Sequence, residues 1–88
     1  MLEEDPRVLF EQFQRQATDY VASPGMMKAL ELDQVCMKLY PLAARKLGST
    51  TLSNQIRDFG RGLPRRELDE LAALLDEILA TAREVGLT

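Results

Sequence analysis

The side chains able to carry chemistry are few and poorly matched. Cys36 is the only cysteine and the chain has no histidine, so there is no Cys–His or Ser–His pair to generate a nucleophile. The same composition removes the histidine metal ligands, and one thiol alone does not make a metal set. Cys36 lies in an apolar run and reads as a small buried apolar residue. Asp69/Glu70 and Asp76/Glu77 are paired carboxylates, the residue type for general acid–base work. They fall on the polar side of a helical repeat, whereas such catalysis needs a desolvated cleft. Gly60-Arg61-Gly62 is too short for a phosphate loop and follows no strand signal. These residues speak against an enzyme, a cofactor and a metal centre.

Charge is more informative. From position 45 to 66, Arg45, Lys46, Arg57, Arg61, Arg65 and Arg66 are opposed only by Asp58, a local net charge of +5. From Glu67 to Glu84, six acids stand against Arg83, a net charge of −5. The whole chain carries −3 and has a pI near 4.9, which does not favour nucleic acid as a partner of the molecule as a whole. The basic segment is suited to docking a polyanion or to orienting an acidic protein.

Part of that segment also has a recognisable pattern. Ala43-Ala44-Arg45-Lys46-Leu47-Gly48, then Thr51-Leu52-Ser53 and Gln55-Ile56-Arg57, resembles the helix-turn-helix of LysR-type bacterial regulators over about 19 residues. In those regulators about two more residues stand between the glycine and the Thr-Leu-Ser than Ser49-Thr50 supply here. At about 100° per residue, that shortening turns the second helix by roughly 200°. The resemblance implies a dimeric DNA-binding regulator. Ser53, Asn54 and Arg57 would face bases, and Arg45, Lys46, Arg61, Arg65 and Arg66 would contact phosphates.

The elements that must position these residues all read as helices. Leu68, Leu71, Leu75, Ile78, Ala82 and Val85 recur at spacings of 3 and 4, which places them on one helix face. Ala72 and Leu79 widen that stripe, and Leu74 adds an apolar residue at its flank. With Pro64 in the first turn and Gly86 as the stop, the pattern predicts a long C-terminal amphipathic helix from about Pro64 to Val85. Asp5-Pro6 predicts the start of a first helix ending near Ala22, with Phe10, Phe13 and Tyr20 on its apolar side. Ser23-Pro24-Gly25 predicts a second start, capped by Ser23, for a helix reaching Tyr40. Pro41 predicts a break and a short new helix to Leu47. The Ser49-Thr50-Thr51 cluster predicts another from about Thr51 to Phe59, with Gly60-Arg61-Gly62 as the following linker. No segment alternates as a strand does.

The expectation is therefore all-α: residues 1–88 as one compact bundle of four to five helices. Its expected core is Leu9, Phe10, Phe13, Leu30, Leu39, Leu52, Ile56, Phe59, Leu71, Leu75 and Ile78. A chain of this size buries only about 60–65% of its unfolded surface, so association would add needed stability. The second helix is apolar on more than one side, and Met26, Met27 and Met37 are adaptable residues suited to a protein-binding surface. Leu74 and Leu79 are the candidate seam of a homodimer. The favoured function is a small regulatory or adaptor protein acting by protein–protein contact through an apolar helix face; helix-turn-helix DNA binding is the alternative. The acidic start has no signal-peptide character, no apolar run is long enough to cross a membrane, and one cysteine gives no oxidising-compartment signal. Cytoplasmic residence is expected.

Overall fold

The computed structural model describes residues 5–63 and 65–87. They form four helices: α1 Pro6–Ala22, α2 Met26–Arg45, α3 Thr50–Gly62 and α4 Leu68–Glu84. No strand occurs among the described residues. α2 lies between α1 and α3, and α4 closes on α3 with a lighter contact to α1. The radius of gyration is 12.0 Å, matching the roughly 12 Å of a folded chain this long. The molecule is flat, 31 × 28 × 18 Å. A thickness of 18 Å accommodates two helix layers and no more, and that has consequences for α2.

Local signals explain most boundaries. Asp5 caps α1, its carboxylate accepting the Arg7 N–H at 2.9 Å, with Pro6 in the first turn. Ser49 caps α3 by accepting the Leu52 N–H at 3.1 Å. Gly86, at φ 83°, ends α4: the Leu87 N–H returns to the Ala82 carbonyl at 2.9 Å and Gly86 N–H to Arg83 at 3.2 Å. That is a Schellman closure, and it requires the left-handed conformation glycine adopts at little cost.

Four expectations are corrected. Ser23 does not cap α2; it ends α1, its N–H bonding to Asp19, and Gly25 is the α2 N-cap without a side-chain bond. Lys28 locks that corner, with Nζ 2.8 Å from the Ser23 carbonyl and 3.1 Å from the Asp19 carboxylate. Pro41 does not start a helix. α2 runs through it for 20 residues, so its missing N–H only deprives the Met37 carbonyl, four residues back, of a donor. Met37 is on the exposed side of α2, the side on which a lost backbone bond costs least. Gly60-Arg61-Gly62 is the last turn of α3 and not a linker. Finally, the C-terminal helix is 17 residues long, starting at Leu68 after Glu67. Leu63 has ψ 133°, the extended conformation favoured before a proline, so the chain leaves the helical path ahead of position 64. Pro64 itself, on which the longer helix depended, lies outside the described residues.

The core gathers around Phe13. Its ring meets Phe10 at 5.8 Å and Phe59 edge-on at 5.4 Å, which ties α1 to α3 across the bundle. Ten of the eleven expected core residues are buried. The exception is Leu30, 54% exposed.

Candidate functional site

Cys36 is buried on α2, and its thiol is pushed up to about 12 by burial and then by the nearby Asp33 charge. A thiol that stays protonated is a poor nucleophile. Asp69, Glu70, Asp76 and Glu77 are exposed along α4, outside any cleft that would desolvate them. Among the described residues no group of three or more Cys, Asp or Glu is placed to hold a metal.

The flanks of α4 are already used. Leu74 and Leu79 are half-buried and pack against the chain's own core, so each leaves only part of its side chain at the surface. Apart from Val8 on α1, the large apolar side chains left exposed among the described residues lie on α2. Its core stripe is Ala29, Leu32, Cys36, Leu39 and Ala43, flanked by Val35 and Leu42. Met26, Leu30 and Met37 fall within about 40° of one another on the opposite side, at 100° per residue. They are 67%, 54% and 61% exposed, and the adjacent Met27 is 70% exposed. α2 is thus central to the bundle on one side and uncovered on the other. Among the described residues of this two-layer molecule no fifth helix covers it. Leu30 was missed from the sequence as a surface residue; the signal was its spacing, four from Met26 and seven from Met37.

The basic residues divide. Ser53 is 7% exposed, on the buried face of α3, and has no route to a base edge. Asn54 and Arg61 are exposed and Arg57 is half-buried. These three share one face of α3, being separated by 3 and 4 residues. Arg45 and Lys46 are exposed at the end of α2, and Arg65 and Arg66 beyond α3. Arg66 is folded back, its side chain lying against the position a Gly62 Cβ would occupy.

The uncovered side of α2 meets this face of α3 at a cleft of about 150 Å³. Cys36, Met37, Tyr40 and Gly60 form its apolar part; Asp33, Arg57 and Arg61 are its charged groups. Arg57 Nε is shielded from solvent and has no hydrogen-bond partner. It is ion-paired with the neighbouring Asp58, whose Oδ1 lies 3.8 Å away, longer than a hydrogen bond. A larger cleft of about 260 Å³ between α1 and α2 is walled in part by Gln12, Gln16 and Gln34. Amides both donate and accept, so that cleft shows no preference for ligand charge.

No helix among the described residues is long and apolar enough to cross a membrane. Comparison of the chain with protein-family models, with curated proteins and with solved structures finds no match.

Proposed function

We propose that this chain is a small regulatory or adaptor protein that works by protein–protein contact, with the outer face of α2 as its docking surface. The observation that carries the reading is the exposure of Met26, Met27, Leu30 and Met37 on one helix, opposite its core stripe. Exposed apolar side chains grouped in this way favour a partner over water, and flexible methionines adapt to its shape. The mechanism is occlusion or recruitment: a partner helix laid along α2 is either hidden or brought into place. The test compares proteins retained from the source cell by the parent chain and by a Met26→Glu/Met37→Glu variant of unchanged helicity. A defined protein held by the parent and lost from the variant supports the reading. Identical retention by both overturns it.

The second reading is DNA binding through a helix-turn-helix. It draws on two features: α2 and α3 are joined by the short turn 46–49, and Asn54, Arg57 and Arg61 share a face of α3. Four phosphate contacts would give a slope of log K against log salt of about −3.6. Fluorescence anisotropy with random duplex DNA at about 150 mM salt separates the readings. Weak or no binding is expected. Micromolar binding lost in an Arg61→Gln/Arg65→Gln/Arg66→Gln variant would replace the adaptor reading with this one.

A further inference from the structure

Resting on that docking reading, we propose that Met26, Met27 and Met37 are the oxidation sites of this chain, and that their conversion to sulfoxides by hydrogen peroxide closes the α2 face to a partner while leaving the fold intact. Three of the five large apolar side chains exposed among the described residues are methionines, all on α2. The core holds none: its buried apolar residues are Leu, Ile, Val, Ala, Phe, Tyr and Cys. Nor is there a methionine among the half-buried side chains packed against it. The thioethers are thus sorted to the outside of one helix, and the packing of the core does not depend on them. Met1, the remaining methionine, lies outside the described residues.

The group that ordinarily reacts first with peroxide is kept out of reach. A thiol reacts as its thiolate, and where solvent can enter. Cys36 is buried, and that burial holds its thiol in the protonated form at neutral pH. It is also the single cysteine, so the chain supplies no second thiol to form a disulfide with it. The exposed thioethers need no ionisation. Sulfur attacks one peroxide oxygen with a lone pair, the O–O bond breaks and an S–O bond forms. The other oxygen leaves as water with both peroxide hydrogens. Sulfur is oxidised by two electrons and the peroxide is reduced by two. Thiol-dependent sulfoxide reductases reverse the change.

The product is polar where the thioether was apolar. In the free chain the new oxygen stands in water, and the inner stripe of α2 is untouched. Beneath a partner the same oxygen must be desolvated, which is unfavourable unless it finds a donor. Met26 and Met37 are eleven residues apart, about 16.5 Å along the helix axis, with Leu30 between them on the same side. An occupant that covers Leu30 together with either neighbour therefore buries at least one sulfoxide. The effect is the same for any apolar occupant, because it comes from the face itself.

The experiment oxidises the full chain with hydrogen peroxide at neutral pH, maps the products by peptide mass spectrometry and follows the fold by circular dichroism. The docking probe is a fluorescein-labelled, stapled helical peptide of about 18 residues with a leucine stripe and uncharged borders. Sulfoxides are expected at Met26, Met27 and Met37, with Cys36 unmodified and helicity unchanged. Peptide binding should weaken at least about tenfold on oxidation and return when sulfoxide reductases act on the product. Oxidation of Cys36 ahead of the methionines, or loss of helicity in step with sulfoxide formation, overturns the inference. Weakened binding that the reductases do not restore traces the loss to another residue and also overturns it. Equal binding by the reduced and oxidised chains, with all three sulfoxides present, overturns the inference and leaves the docking face standing. Failure of the reduced chain to bind at about 100 μM protein overturns the inference and the docking face together.

Discussion

Cys36 and Gly60 are one structural unit. A Cβ added at Gly60 would sit 2.9 Å from the Cys36 Cβ, so glycine is what lets α3 approach α2 this closely. Gly60→Ala is expected to cost about 1–3 kcal/mol by overpacking, despite the better helix propensity of alanine. Cys36→Ala should not rescue it, because the contact is with Cβ and alanine keeps that atom. Urea denaturation of the three variants checks both statements. The thiol makes a separate prediction. Its folded value is raised to about 12 from an ordinary value of 9.0. Above the ordinary value the unfolded thiol ionises while the folded one does not, so the unfolded state gains. This contribution to stability is complete below pH 9 and is lost as pH rises towards 12. Its slope reaches at most about 1.4 kcal/mol per pH unit. The parent should therefore lose stability faster than Cys36→Ala between pH 9 and 11. Parallel losses in the two proteins would show that the thiol does not titrate this way.

At the scale of elements, caps and prolines behave according to position. Ser49 holds the Leu52 N–H, so Ser49→Ala should cost about 1 kcal/mol. Ser23 makes no such bond to α2, and Ser23→Ala should change stability by less than about 0.5 kcal/mol. Equal effects of the two would place the α2 cap at Ser23 after all. Pro41→Ala restores a donor to the Met37 carbonyl and removes a proline from a helix interior. The gain, offset by a freer unfolded chain, is expected to be about 1–2 kcal/mol. Thermal unfolding followed at the helical circular dichroism band measures it.

For the whole molecule, the question is which apolar surface is spoken for. Leu74 and Leu79 already pack on the core, so a glutamate at either would be desolvated within the monomer. Leu79→Glu is expected to destabilise the fold by more than about 2 kcal/mol. Met37→Glu removes an exposed side chain and should change stability by less than about 0.5 kcal/mol. Chemical denaturation of the two variants gives the comparison directly. A large loss from Met37→Glu with none from Leu79→Glu would mean that α4 and α2 have exchanged roles.

Much of this was legible in the order of residues. The Asp5-Pro6 start, a cap within Ser49-Thr50-Thr51 and the Gly86 stop are local devices, satisfied by neighbours in the chain, so the sequence alone determined them; which of the three caps α3, namely Ser49, came from the structure. Helical periodicity likewise identified ten core residues and the all-α class, because a face that repeats every 3.6 residues must be buried as a unit. Other features were decided by tertiary contact. Pro41 sits inside an unbroken α2 that packs against both α1 and α3, and such packing outweighs one lost backbone bond. The Gly60 turn stayed helical because it packs on Cys36. α2 carries two apolar stripes, and periodicity cannot say which of the two faces inward. That depended on where α1 and α3 settled, and their settling buried Leu32 and Cys36 and left Met26, Leu30 and Met37 in water.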